Sequence, residues 1–159
     1  MTFWINPKKR KPVDFDTAIE NPALKTAFEK YRLYKTEYYG RKVITEIKCA
    51  NFMALITTDG MSYAQILGKA GLDKDQLVNL VGIQDKADEW FQPLFSDASE
   101  IDLNFKDNRD DLRTVVLDIN WTINFILGQP SRKGIVINPG SDGWVIYREQ
   151  MEWYLKNVF

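Results

Sequence analysis

Apolar positions recur at helical spacing in the first part of the chain. From residue 24 to residue 34 they are spaced three and four residues apart, which predicts an amphipathic helix. The dipeptide Asn21-Pro22 precedes it and is typical of a helix start, an N-cap amide followed by proline at the first helical position. The same spacing predicts a second helix over residues 36–50, in which Gly40 is the weakest position.

Short apolar runs then predict strands. Residues 51–57 have the length and composition of a buried strand, and residues 58–60 supply a turn. Residues 61–67 suit another strand, and residues 68–75 are rich in turn residues. Residues 76–83 are compatible with a returning strand or with a short helix, because periodicity does not separate the two; we favour a strand.

The middle of the chain is more polar. Asp85 is placed to cap a helix whose apolar face contains Ala87, Trp90, Phe91 and Leu94. Residues 96–111 read as a solvated acidic loop, within which apolar residues alternate between 101 and 105 and allow a short edge strand. The acidic residues of this loop do not have the spacing of an EF-hand, so no calcium site is predicted.

The last third predicts a strand at 114–117, a helix opened by Asp118 or Asn120 and ending near residue 127, and a strand at 134–137. A turn at 138–143 then leads to a strand at 144–147 and a closing helix at 148–158. Trp144 and Trp153 are expected in the core. The order predicts an α+β fold, a single domain with a mixed sheet, hairpins and helices packed on its faces. Residues 1–20 are assigned to an N-terminal arm and residues 21–159 to the domain.

Composition narrows the possible chemistry. The chain of 159 residues contains no histidine and one cysteine, which excludes Ser-His-Asp and Cys-His catalysis as well as zinc sites built from histidine or several thiolates. The net charge of -1 offers no general attraction for nucleic acid or anionic lipid, and no apolar run approaches a membrane span of about 18 residues. The basic run at residues 8–11 is read as part of a solvated arm. No cofactor, metal, nucleic acid or membrane is therefore predicted.

The single thiol also bears on location. Cys49 is expected to be a small buried or half-buried residue, since neither a histidine nor a clear helix N-terminus is at hand to lower its pKa. One cysteine fits a reducing cytoplasm, and the first twelve residues lack the pattern of a signal peptide. We therefore expect a cytoplasmic protein.

Several motifs occur in an order that resembles the N-terminal domain of SseB-like (enhanced serine sensitivity) proteins. The most specific is Gly134-Ile135-Val136-Ile137-Asn138-Pro139, similar to the family's Gly-hydrophobic-x-hydrophobic-Asn-Pro. The helix start at residues 21–24, the segment 49–53, and the segment 80–85 followed by Trp90 resemble other family elements. The chain departs from the pattern at Ile83-Gln84, where Phe-Thr is usual, and in its long acidic stretch. We also expect it to lack the family's separate C-terminal domain. The resemblance implies a bacterial protein linked to serine sensitivity and associated with type III secretion, with no established catalytic residues.

These observations favour a non-enzymatic binding or accessory domain, whose partner is another protein or a second copy of the chain. The predicted binding residues are Asn138, Pro139, Gly140 and Arg148; the alternative is that the Asn-Pro-Gly turn only reverses the chain. A second hypothesis is an enzyme that uses carboxylates, with Asp85, Asp88 and Glu89 or the acidic loop as candidates. A third is a homo-oligomeric structural protein.

Overall fold

Two sheets joined by single bridges form the centre of the fold in the computed structural model, which describes residues 18–57, 80–105 and 112–159. The α+β fold predicted from the sequence is confirmed. The helices of the described residues are α1 (Pro22–Tyr34), α2 (Glu37–Cys49), α3 (Ala98–Asn104), α4 (Ile119–Leu127) and α5 (Arg148–Asn157). The strands are β1 (Phe52–Thr57), β2 (Ile83–Gln84), β3 (Trp90–Leu94), β4 (Leu112–Leu117), β5 (Arg132–Ile137) and β6 (Trp144–Tyr147).

The sheet is mixed. β1 and β4 pair in antiparallel fashion, and the other four strands are ordered β2-β3-β5-β6. β3 and β5 run parallel, whereas β2 and β6 are antiparallel to their neighbours. Bridges between Met53 and Phe95 and between Ile56 and Leu80 connect the two sheets. Because β3 and β5 are parallel neighbours, their carboxyl ends lie side by side.

The two faces of the joined sheet carry different layers. Alternate residues of β1 separate to opposite sides: Phe52, Ala54 and Ile56 join the main core, whereas Leu55 lies in a smaller cluster. Helices α1, α2, α4 and α5 contribute buried side chains to the main core. The smaller cluster contains Ile101 of α3, so α3 covers the other face.

The predicted start of α1 is confirmed, but the role of Asn21 is different from the one expected. Pro22 occupies the first turn, and the Asn21 side chain makes no capping hydrogen bond. Its amide instead donates to the carbonyl oxygens of Asn51 and Ser96, at 2.8 and 2.7 Å. Asn21 thus ties the start of α1 to the segments beside β1 and β3. At the start of α2 the Thr36 hydroxyl accepts from the Tyr39 amide and caps the helix.

The helix predicted after Asp85 is wrong. Residues 83–94 form the β2-β3 hairpin, and Asp85 caps its turn: its Oδ1 accepts from the amides of Ala87 and Glu89, at 2.8 and 2.9 Å. Asp88 adopts a left-handed conformation with φ 60°. Most of β3 is buried on both sides, so its apolar residues are nearly continuous and do not alternate with polar ones. Such a run also contains residues at helical spacing, which is why the sequence pattern resembled a helical face.

The solvated loop and edge strand predicted within residues 96–111 are wrong over residues 98–104, which form α3. The Asp97 carboxylate accepts from the amides of Ser99 and Glu100 and so caps this helix. Asp97 and Glu100 are 9% and 5% exposed, so neither is a solvated loop residue. Ile101 is buried and Leu103 is 57% exposed, which shows that the alternation did not reflect a strand.

The remaining predictions over the described residues agree with the structure within a few residues. These are the elements that correspond to α2, β1, β4, α4, β5, β6 and α5, and Asp118 is the cap of α4. Cys49 is half-buried, as expected. Most of the predicted arm (1–17), the turn and strand at 58–67, and residues 68–79 lie outside the described residues. Of the segment 76–83, Ile83 begins β2 and Leu80 makes an isolated bridge.

Candidate functional site

Asn138, the first of the predicted binding residues, is fully buried and holds the end of β5 to its surroundings. Its Oδ1 accepts from the Ser96 amide at 2.9 Å, and its Nδ2 donates to the Ser96 hydroxyl at 2.9 Å and to Asp142 Oδ2 at 2.8 Å. Its backbone is left-handed, with φ 51°, a conformation that Asn tolerates better than most residues. The amide has no exposed surface to offer a partner.

Gly140 serves close packing and does not need a positive φ. A Cβ atom at this position would lie 2.9 Å from Asn104 Nδ2 and 3.0 Å from Leu103 Cβ, so the turn packs directly on α3. The positive φ of the turn's glycines belongs to Gly143, at 62°. Pro139, between Asn138 and Gly140, is half-buried.

Arg148 lies at the other end of β5 from Asn138. Tyr147, its neighbour, pairs with Gly134, whereas Asn138 follows the last residue of the strand. The Arg148 guanidinium donates to the carbonyl oxygens of Ile126, Leu127, Gln129 and Arg132, at 2.7 to 3.3 Å. It therefore joins the carboxyl end of α4 to the turn after it and to the start of β5. The structure does not bring the four predicted residues together in one site.

A polar network surrounds the turn at the carboxyl ends of β3 and β5, the place where many α/β sheets bind ligands. The Lys25 ammonium lies 2.7 Å from Asp97 and 3.8 Å from Glu100. The Ser141 hydroxyl donates to Glu100 Oε2 at 2.7 Å. Burial alone would raise the pKa of Asp97, but hydrogen bonds from Lys25, Ser99 and Ser96 outweigh it and lower the pKa to about 2.

The acidic groups of this network are engaged by internal donors. Among the residues that the structure describes, no cluster of His, Cys, Asp and Glu has the arrangement of a metal site. The hydrogen bond that Lys25 donates to Asp97 is also the main reason why the pKa of Lys25 is raised. We name these residues the turn network: Lys25, Ser96, Asp97, Glu100, Asn138, Ser141 and Asp142. It fastens α1, α3 and the turn after β5 to one another.

Asp85, Asp88 and Glu89, the carboxylates proposed for catalysis outside the acidic loop, lie in the surface turn of the β2-β3 hairpin. Asp85 is committed to the hairpin turn, as described above, and Glu89 lies 3.7 Å from the Lys133 ammonium. Asp85 and Asp88 are exposed at the tip of the hairpin. Nothing about these three groups distinguishes them from the ordinary polar residues of a surface turn.

A large open depression lies elsewhere, between the α1-α2 junction and α5, and has a volume of about 660 Å³. A second depression of about 560 Å³ runs from it towards residues 141–143 of the turn. The two share Tyr31, Lys35 and Trp144, so they form one continuous surface that we name the aromatic groove. The walls of the larger depression include Tyr31, Gly40, Ile44, Trp144, Trp153 and Tyr154.

Ring contacts give the aromatic groove a defined shape. Tyr31 and Trp144 meet edge to face, with ring centroids 5.2 Å apart, and Trp153 and Tyr154 do so at 5.5 Å. Burial raises the pKa of the Tyr154 hydroxyl. Trp153, which was expected in the core, is 58% exposed: it lies off the helical face defined by Met151, and that prediction is wrong.

The aromatic groove was not predicted from the sequence, although one signal of it is present. Tyr154, Leu155 and Val158 follow Met151 at helical spacing, and Trp153 does not belong to that series. Gly40, the weakest position of the second predicted helix, lines the larger depression. A Cβ at Gly40 would be 3.4 Å from the Tyr31 ring, which is ordinary contact.

The chain was compared with known protein families, with curated proteins and with solved structures, and it has no significant match in any of the three. The resemblance to SseB-like proteins stays a prediction from the motifs. In the described part of the chain, no helix has the length and apolar character needed to cross a membrane.

Proposed function

We propose that the chain is a non-enzymatic, cytoplasmic binding domain that takes a protein partner in the aromatic groove. The observation that carries this proposal is the exposure of Trp153 at 58% beside Tyr31 and Trp144, in a groove of about 660 Å³. Tryptophan and tyrosine dominate the binding energy of many protein interfaces, because they bury a large area at a small cost in side-chain entropy.

The absence of a side chain at Gly40 supports the same interpretation. Gly40 lies inside α2, where glycine is less favourable than alanine by about 1 kcal/mol. Gly40 lines the larger depression together with Trp153 and Tyr154 and places no side chain in it. A glycine that weakens its own helix and opens a surface depression fits a site that receives another molecule.

The composition supports a role without catalysis. The full chain has no histidine, and the carboxylates with internal partners, Asp85 and Asp97 among them, are structural caps. The single cysteine supports a reducing location. The resemblance to SseB-like proteins supports an accessory role. The expected binding residues Asn138, Pro139 and Gly140 contribute to this proposal by holding the turn that forms the far end of the groove.

The proposal is tested by selecting binders from a displayed library of random peptides. We expect peptides that bind the wild-type chain and lose binding to Gly40→Leu, because the leucine side chain fills the depression. The Gly40→Ala variant is the matched control: it improves helix propensity equally well but adds only one methyl group, so binding is expected to persist.

A second pair of variants distinguishes binding in the groove from nonspecific binding to exposed aromatic residues. Trp153→Ala is expected to weaken the selected peptides, whereas Trp90→Ala is not, although Trp90 is also exposed, at 45%. Peptides that bind all four variants equally would contradict the proposed groove. If Gly40→Leu disrupts dimers in sedimentation experiments instead, the partner is a second copy of the chain.

A further inference from the structure

The aromatic groove is bordered by the most basic stretch of the described chain. Residues 30–42 read KYRLYKTEYYGRK and contain five basic residues and one acid, a net charge of +4, whereas the whole chain carries -1. The rest of the chain is therefore acidic, and the charge is separated between two regions. Such a separation produces a local positive potential that attracts groups of opposite sign.

Two of these basic side chains are available at the groove. Arg32 and Lys35 line the smaller depression, and Lys35 lines the larger one as well. Both are exposed, and within the described residues neither has an ion-pair partner. Arg41, by contrast, is paired with Glu37 on the same helix.

The acids near the groove are already partnered. Glu37 holds Arg41, and the Asp142 carboxylate accepts from the Asn138 amide at 2.8 Å. Within the described residues, the groove thus presents apolar aromatic walls together with two positive charges, Arg32 and Lys35, against one carboxylate, Asp142, that lines it without an ion pair. A complementary ligand has a bulky apolar group to fill the depression and carboxylates to reach Arg32 and Lys35.

The backbone of Lys35 is a second, independent observation. Lys35 is the C-cap of α1 and is left-handed, with φ 49°, where glycine is the usual residue. A non-glycine residue in this conformation is strained, and such residues concentrate at ligand-binding sites. A lysine at this position keeps a charged side chain at the junction of the two depressions in spite of that strain.

From this geometry we propose that the groove binds an acidic segment of a partner protein. This inference rests on the binding function proposed above and adds the class of ligand. An apolar or aromatic side chain of the segment inserts between Tyr31 and Trp153, and Asp or Glu residues on either side pair with Arg32 and Lys35.

Single-stranded nucleic acid also combines negative charge with flat apolar groups, but the rings beside the groove favour a protein. Nucleobase stacking needs open ring faces. Tyr34 and Tyr39 are stacked on each other, with centroids 5.1 Å apart and planes at 23°. Tyr38 meets the Tyr39 ring edge to face, and the Lys42 ammonium lies over the Tyr38 ring at 5.6 Å. These rings already have partners.

The test uses peptides selected on the wild-type chain from the random displayed library, together with a thymidine oligonucleotide as a nucleic-acid probe. The peptides that depend on an open Gly40 are expected to combine Asp or Glu with Trp, Phe or Leu. Their synthetic versions with Asn and Gln in place of the acids are expected to bind about tenfold more weakly, as is the acidic peptide at about 0.5 M salt, where exposed charges are screened.

Reversing the charge of single lysines tests whether the acidic peptide binds beside Lys35. Lys35→Glu is expected to weaken the acidic peptide by about tenfold or more, as for a repulsive charge at a partly exposed interface. Lys86→Glu, in the exposed tip of the β2-β3 hairpin, has the same net charge and is expected to bind as the wild type does. Equal losses in the two variants would overturn the proposal.

The outcomes separate this inference from the proposed function. Groove-dependent peptides without an excess of acids would overturn the acidic ligand and leave the binding groove standing. A selection that yields no peptide dependent on Gly40 would overturn the binding groove itself. Binding of the oligonucleotide that is lost in both Gly40→Leu and Lys35→Glu would overturn the assignment to a protein.

Discussion

The turn network and the aromatic groove are neighbouring regions with opposite balances of donors and acceptors. In the turn network, buried polar groups satisfy one another: Asn138 is fully buried, and Asp97 accepts from Lys25 and from backbone amides in the first turn of α3. In the groove, large apolar rings and two positive charges face outward. The first region has completed its interactions within the chain, whereas the second has not.

The contrast shows how a polar motif differs from a binding site. The residues of the Asn-Pro-Gly turn and its neighbours have side chains that could form hydrogen bonds to a ligand. In the structure these groups instead form hydrogen bonds that join α1, α3 and the end of β5. Buried polar groups are costly unless they are paired, so a dense polar turn beside a core is expected to be internally satisfied. The groove carries the opposite feature, exposed aromatic area, which is what associating proteins bury.

The largest effect on stability is expected when the centre of the turn network is removed. Asn138→Ala leaves the Ser96 amide buried without its acceptor and takes a donor from Asp142. It also places alanine at φ 51°, so a loss of about 4 kcal/mol in the free energy of unfolding is expected. The measurement is urea denaturation followed by circular dichroism.

Two controls interpret that loss. Asn138→Gly removes the same hydrogen bonds but relieves the left-handed strain, so it is expected to be less destabilising than Asn138→Ala. Asn124→Ala, on the exposed side of α4, loses one local hydrogen bond to the Asn120 carbonyl and is expected to change stability by no more than about 0.5 kcal/mol. A small effect of Asn138→Ala would mean that the turn is not held internally and is free to bind.

The sequence predicted the layers of the fold better than its polar details. Helices α1, α2 and α4 and strands β1, β4 and β5 each carry a local pattern, either helical spacing with a cap or a short apolar run, and these elements were predicted within a few residues. The hairpin at 83–94 was misread because a strand buried on both faces has no alternation to report. Helix α3 was misread because its seven residues are too few to establish a period.

The aromatic groove could not be predicted from local patterns in the sequence. Tyr31, Trp144 and Trp153 come from α1, β6 and α5, and no spacing along the chain reports that their side chains meet. The internal use of Asn138 was hidden for the same reason, since its main partner, Ser96, is 42 positions away. Arg148 likewise reaches carbonyl groups that only the folded chain brings near. Contacts between distant segments decide which capable residues remain exposed.

Acid is expected to weaken the turn network, and not the aromatic groove, because it protonates the Asp97 carboxylate. The pKa of Asp97 is about 2 in the folded chain, below the ordinary value of 3.8. The group therefore adds stability that is fully present above pH 4 to 5 and is lost as the pH falls towards 2, by about 2 kcal/mol in total.

Urea unfolding across this pH range measures the effect. The wild type is expected to lose more stability between pH 5 and pH 2 than Asp97→Asn, which is less stable at neutral pH and has no such group to titrate. Parallel pH profiles of the two chains would contradict the assignment of Asp97 to the network. Binding at the groove is not expected to follow the Asp97 titration, because that carboxylate lines neither depression.

The smallest effect discriminates best between the two regions, because stability and binding move in opposite directions. Lys35→Gly removes the strain of a left-handed lysine at φ 49° and is expected to stabilise the chain by about 1 kcal/mol. It also removes the charge shared by the two depressions, so the acidic peptides are expected to bind more weakly. Asp88→Gly is the matched control: Asp88 has a similar φ of 60° in the β2-β3 turn, far along the chain from the groove. It should gain stability without any change in peptide binding, and a Lys35→Gly variant that is stabilised but binds as tightly as the wild type would show that Lys35 only ends α1.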